Sequence, residues 1–113
     1  MLIAKSESGA VVSKSATLVK REGNEMPRFM KDIDLGPSSA GGSCNSEGLP
    51  NQGIDYYISD SITTTIGTAG KPYIVSISGL KLEDNLEMLG RIMRADGVAA
   101  IELNLACPNV PGK

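Results

Sequence analysis

The residues with the clearest capacity for chemistry lie near the carboxyl end of the chain, around Cys107. A cysteine thiolate can act as a nucleophile or as a base. Residues 98–105 are apolar enough for a buried strand, but Glu102 and Asn104 are two residues apart and therefore point to one face of it. Pro108 then ends the strand, because proline has no backbone donor. We therefore expect Cys107 at the carboxyl end of a strand, where parallel α/β folds place their sites. The opposite face of the strand, predicted to pack, carries Ile101, Leu103 and Leu105.

The chain contains no histidine. Because histidine is the usual side chain that titrates near neutral pH, acid–base chemistry here needs Cys, Lys, Tyr or a perturbed carboxylate. Two cysteines are present, Cys44 and Cys107. We expect both to be reduced thiols, since nothing else in the sequence marks a secreted protein. No metal site is expected.

The length of 113 residues suits one domain or a piece of a larger one, and 41% of these residues are hydrophobic. The formal charge of −2 shows no basic excess that would favour binding to nucleic acid. The sequence has no apolar run of the ~18 residues that a membrane span needs, and no charged-then-apolar leader. We therefore expect a cytoplasmic protein that binds neither nucleic acid nor membrane.

Strand and helix patterns alternate along the chain. Short apolar runs predict strands at residues 10–14, 73–78 and 98–105. Apolar residues at three- and four-residue spacing predict a helix over residues 53–66, and a second helix starts at Leu82. The predicted core face of the second helix consists of Leu82, Leu86, Leu89, Ile92 and Met93.

A long connection, residues 15–53, follows the first strand and is rich in Ser, Gly, Pro and charge. A connection of this length is expected to be functional or disordered. The complete order of strand, connection with helix, strand, helix and strand predicts two consecutive βαβ units and a parallel sheet.

Polar residues are predicted to gather on one side of this sheet near the carboxyl ends of its strands. An open sheet covered by helices on both faces would be apolar there, whereas a barrel tolerates a partly polar interior beneath its site. A complete (β/α)8 barrel needs eight strands in ~250 residues. We therefore predict an α/β fold that is part of a (β/α)8 barrel, about three parallel strands with helices between them. The polar residues are Lys14, Ser76, Ser78, Glu102 and Asn104.

Four motifs, taken together and in this order, resemble the class 1A, fumarate-using dihydroorotate dehydrogenases. The motifs are Ser13-Lys-Ser-Ala-Thr17, Lys20-Arg-Glu-Gly-Asn24 with Pro27-Arg28, Asn45-Ser-Glu-Gly-Leu-Pro-Asn51 and Glu102-Leu-Asn-Leu-Ala-Cys-Pro-Asn-Val-Pro-Gly-Lys113. The resemblance covers nearly the whole chain but only an early-middle part of the family's barrel. The chain, residues 1–113, is therefore expected to be a partial barrel domain that is inactive by itself.

The resemblance implies a homodimeric flavoprotein that oxidises dihydroorotate to orotate in pyrimidine biosynthesis. A hydride passes to FMN and the electrons then pass to fumarate, while Cys107 removes a proton. Asn side chains suit the substrate, because a pyrimidine dione alternates donors and acceptors around its rim. The resemblance assigns Lys14, Ser15 and Asn104 to FMN, and assigns Lys14, Asn45, Ser46, Glu47, Gly48, Leu49, Asn104 and Asn109 to the substrate.

The chain departs from the family pattern at two places. Glu47 stands where the family has an apolar residue, and its charge would repel an anionic substrate unless it points away. The stretch 36–42 resembles a flexible insertion before Asn45. Cys44 is expected to be structural, because its motif position is ordinarily apolar.

Two other interpretations stay open. One is a small α/β binding module without chemistry, in which the Cys107 segment is only a turn. The other is the pyrimidine-reducing flavoprotein branch related to dihydropyrimidine dehydrogenase, which shares the Asn-Leu-Ser/Ala-Cys-Pro theme. Compared with this second branch, the dihydroorotate dehydrogenases are favoured by two segments, Arg21-Glu-Gly-Asn24 and Asn109-Val-Pro-Gly-Lys113.

Overall fold

A computed structural model describes residues 2–37 and 41–111 of the chain. Its elements follow the alternation that the sequence predicts, with an additional antiparallel pair in the long connection. None of the helices in these two ranges is long and apolar enough to cross a membrane. In chain order the elements are a 3₁₀ turn (Ile3–Lys5), β1 (Val11–Val12), β2 (Phe29–Ile33), β3 (Gly42–Asn45), α1 (Ile54–Tyr57), α2 (Asp60–Thr68), β4 (Tyr73–Ile77), α3 (Leu82–Ile92) and β5 (Ala100–Leu103).

The main sheet has the strand order β1-β4-β5, and both pairings are parallel. Val11 pairs with Tyr73, and beyond the end of β1 an isolated parallel bridge joins Ala16 to Ile77. The three predicted strands and their parallel arrangement are therefore confirmed, although β1 is only two residues long. The arrangement is consistent with part of a (β/α)8 barrel.

The core lies between this sheet and its helices. Strand β4 is central and almost wholly buried, because it has a neighbour on each side and helices against one face. Short apolar runs of this kind are what a buried parallel strand requires. The buried core residues are Val11, Ala16, Ile54, Ile66, Tyr73, Val75, Ile77, Met88 and Ile92.

The single helix predicted over residues 53–66 is wrong, because two helices occupy this stretch. Ile58 leaves helical geometry at φ −103° and ψ 8°, and Ser59 is extended. The Ser59 hydroxyl donates a hydrogen bond to the Tyr56 carbonyl, and the Ser59 carbonyl accepts the first hydrogen bonds of α2. The apolar spacing runs through this break, since Ile54 and Ile66 both reach the same core.

The predicted core face of α3 is correct only in part. Met88 and Ile92 are the buried residues of this helix. Leu82, Leu86 and Met93 are 67%, 58% and 84% exposed. The face that contacts the sheet is therefore rotated relative to the prediction. A second apolar face of α3 stays uncovered by the described residues.

The packing face predicted for the last strand is also wrong. Ile101, Leu103 and Leu105 are all exposed. Strand β5 is the edge of the sheet and pairs with β4 alone among the described residues. No described helix covers this face of β5.

The long connection is partly ordered by an antiparallel pair, β2 with β3, which the sequence analysis missed. An antiparallel bridge between Arg21 and Asn51 closes the base of this excursion through two backbone hydrogen bonds. The stretch expected to be an insertion, residues 36–42, lies partly outside the described residues. The connection therefore brings residues 45–49 back to the main sheet.

Candidate functional site

Four polar side chains form a chain of hydrogen bonds at the carboxyl edge of the main sheet. Asn104 Nδ2 lies 3.3 Å from Ser15 Oγ, and Ser15 Oγ lies 2.9 Å from Ser76 Oγ. Ser76 Oγ lies 2.6 Å from Glu102 Oε1. Because the carboxylate accepts, Ser76 donates to Glu102, and Ser15 must then donate to Ser76. The donors therefore run in one direction, from the amide of Asn104 to the carboxylate of Glu102.

Two further serines fix the strand ends around this chain. The Ser78 hydroxyl donates to the Asn104 carbonyl at 3.1 Å, and the backbone N–H of Ser76 donates to Ser13 Oγ at 2.9 Å. Both hydroxyls are used by backbone groups. Ser78 and Ser13 therefore hold the strands in register rather than face a ligand.

Lys14 lies beside this polar edge, directly after the end of β1. Its side chain is exposed. Among the residues that the structure describes, none makes a hydrogen bond or an ion pair with its ammonium group. A cation without a protein partner is available to a carbonyl or an anionic group of a ligand.

Residues 45–49, which we call the Asn45 loop, have a constrained backbone. Gly48 and Leu49 both adopt the left-handed conformation, with φ of 71° and 57°. A leucine in this conformation is strained and persists only where its surroundings hold it. Arg21 does so by donating hydrogen bonds from Nε and Nη2 to the Gly48 carbonyl, at 3.3 and 3.2 Å. Arg21 is therefore a support of this loop and not a freely solvated charge.

The carboxylate of Glu47 is paired with a cation of the chain. Its Oε2 atom lies 2.9 Å from Nε of Arg28, which is itself largely buried. A paired carboxylate repels an anion much less than an isolated one does. The repulsion anticipated from the sequence is therefore offset by Arg28.

The segment 105–111, the Cys107 loop, follows β5 and meets the Asn45 loop. Asn109 Nδ2 donates to Asn45 Oδ1 at 2.9 Å. Asn24 Nδ2 donates to the carbonyls of Ser46 and Asn109, at 2.8 and 2.9 Å. The sequence analysis placed Asn24 in a motif but gave it no role.

Cys107 is a half-buried free thiol within a tight turn. Its carbonyl accepts a hydrogen bond from the Val110 N–H at 3.2 Å, and Asn104 Oδ1 accepts one from the Ala106 N–H at 3.2 Å. These two bonds therefore fix the backbone on both sides of the thiol. Cys44 is also free, but it is exposed on β3 and not packed as a structural cysteine would be.

Asn51, the last residue of the third motif, is a buried support for which no role was predicted. Its Oδ1 atom accepts from the N–H groups of Thr17 and Gly53 at 3.1 and 2.8 Å. Its Nδ2 atom donates to Thr17 Oγ1 and to the Leu49 carbonyl at 2.9 and 2.8 Å. Asn51 therefore joins the Asn45 loop to the segment that carries Lys14.

The family model for dihydroorotate dehydrogenase matches residues 1–113. The chain belongs to the dihydroorotate dehydrogenase family. The resemblance drawn from the four motifs is therefore confirmed at the level of the family.

Relatives within this family include fumarate-type proteins from a bacterium and from yeasts. The chain is 45% identical to dihydroorotate dehydrogenase A (fumarate) of Lactococcus lactis subsp. cremoris over 109 aligned residues. These aligned residues make up 96% of this chain and 33% of that protein. It is 44% identical over 109 residues to dihydroorotate dehydrogenase (fumarate) of Lachancea kluyveri, covering 96% and 32%. It is 43% identical over 112 residues to the Saccharomyces cerevisiae protein of the same name, covering 98% and 33%. The chain spans about a third of the length of these relatives.

None of the predicted site residues lines a wide cleft beside α2. That cleft, of about 730 Å³, lies between the amino-terminal segment and α2 and is lined by Ala4, Lys5 and several threonines. A smaller cleft, of about 180 Å³, is lined by Arg28, Cys44 and Asn45. A third cleft, of about 250 Å³, is lined by Ser13, Lys14 and Tyr73, so Lys14 and Asn45 line two separate clefts of the described residues.

Proposed function

We propose that this chain supplies one side of the active site of an FMN-dependent dihydroorotate dehydrogenase. The enzyme would oxidise dihydroorotate to orotate in pyrimidine biosynthesis and pass the electrons to fumarate. The contact of the Asn45 loop with the Cys107 loop, beside the polar sheet edge, is the observation that supports this proposal most. By the same resemblance we propose that residues 1–113 are part of a barrel domain in a cytoplasmic homodimer.

The residues at the sheet edge fit one side of a flavin ring. Such a ring presents carbonyl oxygens and ring nitrogens, which accept hydrogen bonds. Donors stand at this edge in the Lys14 ammonium, which has no partner among the described residues, and in the second hydrogen of the Asn104 amide, while Ser15 holds Asn104 in place by accepting its first. A phosphate in (β/α)8 enzymes is commonly held by loops after the last two strands, and the three parallel strands described here do not include these. When bound, FMN supplies the hydride acceptor.

The two asparagines that join the loops fit the substrate. One hydrogen bond joins the side chains of Asn109 and Asn45, and each amide group has both a donor and an acceptor for a pyrimidine dione. Gly48 and Leu49 present backbone groups from a fixed conformation. Ser46 and Glu47 are proposed to line the substrate side of this loop without a backbone hydrogen bond to the substrate, since their carbonyls accept from Asn24 and the Glu47 carboxylate is paired with Arg28.

Cys107 is proposed to be the base. Dihydroorotate would give a hydride from one ring carbon to the acceptor that FMN supplies, while the thiolate of Cys107 would take a proton from the adjacent carbon. The electron pair of the carbon–hydrogen bond that loses the proton would then form the carbon–carbon double bond of orotate. Lys14 would stabilise negative charge on the substrate, and the Ser15–Ser76–Glu102 hydrogen bonds would hold the flavin side of the site in place.

A hybrid enzyme tests this function. In the hybrid, this chain replaces the matching segment of the Lactococcus lactis relative, so that the remaining two-thirds of the barrel are supplied. We expect dihydroorotate to reduce the bound flavin and fumarate to reoxidise it, measured by flavin absorbance. A hybrid that folds and binds FMN but is not reduced by dihydroorotate would exclude the function and favour a binding module.

Lys14→Met in the hybrid tests the proposed cation. Because the substitution keeps the length of the side chain and removes its charge, we expect slower flavin reduction and weaker orotate binding together. Lys81→Met, an exposed lysine before α3, is the matched control and should change neither. Loss of thermal stability alone in Lys14→Met would identify Lys14 as structural.

A further inference from the structure

The Cys107 loop is tied to the Asn45 loop by hydrogen bonds that meet at Asn109. One joins the side chains of Asn109 and Asn45. The other runs from Asn24 Nδ2 to the Asn109 carbonyl, and the same Nδ2 atom reaches the Ser46 carbonyl. An amide nitrogen carries two hydrogens, so Asn24 uses both of them to bridge the loops.

These two connections differ in what a ligand does to them. The Asn45–Asn109 bond consists of side-chain atoms that the proposed substrate would need for itself. The bonds of Asn24 end on backbone carbonyls, which the substrate does not need. Asn24 can therefore keep the two loops together when the bond between Asn45 and Asn109 breaks and both side chains bind a ligand instead.

Asn24 is itself held rigidly on the side of the Asn45 loop. Its backbone N–H donates to the Glu47 carbonyl at 2.9 Å, and its carbonyl accepts from Arg28 Nη1 at 3.1 Å. Gly48 packs directly on its side chain, since a Cβ atom at Gly48 would lie 2.5 Å from Asn24 Cγ. The side chain of Asn24 is therefore fixed before it reaches across to Asn109.

We propose that Asn24 is a positioning residue, whose amide clamps the Cys107 loop against the Asn45 loop and so sets the place of Cys107 and Asn109 relative to the substrate. This proposal rests on the proposed function. Asn24 does not touch the reacting atoms; it acts through the backbone of both loops.

Asn24→Ala and Asn24→Asp in the FMN-loaded hybrid test the clamp. Alanine removes both donors. Aspartate keeps the shape but turns an oxygen towards two carbonyl oxygens, which repels them. We expect faster amide hydrogen exchange in residues 45–49 and 105–111 of both variants, with β4 and α3 unchanged. We also expect roughly tenfold weaker orotate binding, slower flavin reduction at saturating dihydroorotate and unchanged FMN content.

Asn85→Ala is the matched control. Asn85 also bridges two segments, because its Oδ1 atom accepts from the Gly79 N–H at 2.7 Å, but it lies at the start of α3. This variant should leave exchange in the two loops and orotate binding unchanged.

Three outcomes separate the possibilities. If exchange in the loops and orotate binding stay normal in both Asn24 variants, the clamp does not exist. If exchange rises equally in β4 and α3, Asn24 serves general stability and the proposal is wrong. If the unsubstituted hybrid binds FMN but does not oxidise dihydroorotate, the proposed function fails, and hydrogen exchange in the two loops still decides whether Asn24 holds them.

Discussion

At the scale of single residues, Cys107 carries the sharpest prediction. In the hybrid, Cys107→Ser should keep FMN binding and nearly normal orotate binding but slow flavin reduction by ~10²–10⁴, the usual contribution of a general base. A thiol has a reference pKa of ~8.5, whereas an alcohol is a far weaker acid and cannot supply the basic form near neutral pH. Stopped-flow reduction of the bound flavin across pH measures the effect, and the defect should shrink as pH rises.

Cys44→Ser is the control for this experiment. Cys44 is the other free cysteine, and it is exposed on β3. Its substitution should leave the rate of flavin reduction and its pH dependence unchanged. A Cys107→Ser rate equal to that of the unsubstituted hybrid would remove Cys107 from the mechanism.

Tyr73 gives a prediction for alkaline pH. Its side chain is 2% exposed in the core and its hydroxyl donates to the Tyr57 carbonyl at 2.8 Å. Burial raises the pKa of Tyr73 to about 12. Between pH ~10, where an unfolded tyrosine ionises, and about 12, the unfolded chain loses a proton that the folded chain keeps. The free energy of unfolding should therefore fall as pH rises through this window.

Thermal unfolding of the hybrid from pH 8 to 11.5 measures that fall. Tyr73→Phe should be less stable at pH 8 by ~0.5–1.5 kcal/mol, because it loses the hydrogen bond to Tyr57. As pH rises above 10, the free energy of unfolding of Tyr73→Phe should fall less than that of the hybrid with Tyr73. Parallel curves for the two proteins would show that Tyr73 ionises freely in the folded state.

Sequence alone could place candidate site residues along the fold where their chemistry is visible in their type and setting, and their roles stay predictions. Lys14 and Asn104 lie at the strand ends where the sequence placed them, and Cys107 lies in the turn beyond β5. Asn24 and Asn51 were missed, because an asparagine in a loop has the same local pattern whether it forms a turn or bridges two segments. Their partners are distant in the sequence, and only the fold brings them together.

At the scale of elements, the Asn45 loop depends on glycine at position 48. Gly48→Ala should strain the left-handed backbone by ~1–2 kcal/mol, and its Cβ atom would collide with Asn24. We therefore expect weaker orotate binding and faster hydrogen exchange in residues 45–49 of the hybrid. Normal orotate affinity in this variant would show that the loop geometry is not required.

Gly67→Ala is the matched control for Gly48→Ala. Gly67 lies in α2, and a Cβ atom there would meet nothing within 4 Å. Because glycine is a poor helix former, alanine at this position should raise the free energy of unfolding by ~0.5–1 kcal/mol. Orotate binding should not change.

The elements that sequence predicted well are those with a local pattern. The short apolar run of β4 predicts a strand, and turn residues separate it from the helix patterns on both sides. This alternation of strands and helices predicts a parallel sheet. The break between α1 and α2 was missed, since the apolar spacing continues through it and the stop comes from Ser59. The β2–β3 pair was missed because its strands are largely exposed and lack an apolar alternation.

At the scale of the whole molecule, two apolar surfaces meet no described partner. One is the outer face of α3, with Leu82, Leu86 and Met93. The other is the face of β5 that was predicted to pack, with Leu103 and Leu105 among its exposed residues. Exposed apolar surfaces of this kind mark places where another part of a protein packs. The apolar residues of these two faces are the reason that burial was predicted there, because the apolar pattern of an element reflects its contacts in the complete fold.

The 113-residue chain by itself is therefore predicted to be marginally stable, to bind FMN weakly and not to oxidise dihydroorotate. Its main sheet has three strands with β1 and β5 at the edges of the described part, and unpaired strand edges recruit other chains. Circular dichroism during thermal unfolding, binding of an apolar dye and flavin absorbance after gel filtration measure stability, exposed apolar surface and FMN binding, and a chain that retains no FMN has no acceptor for the hydride of dihydroorotate. We expect a broad transition, strong dye binding and no retained flavin. The hybrid should reverse all three, because we expect the rest of the barrel to cover α3 and β5 and to complete the proposed site around Lys14 and Cys107. Cooperative unfolding of the isolated chain with bound yellow flavin would contradict the prediction and place the whole flavin site within these 113 residues.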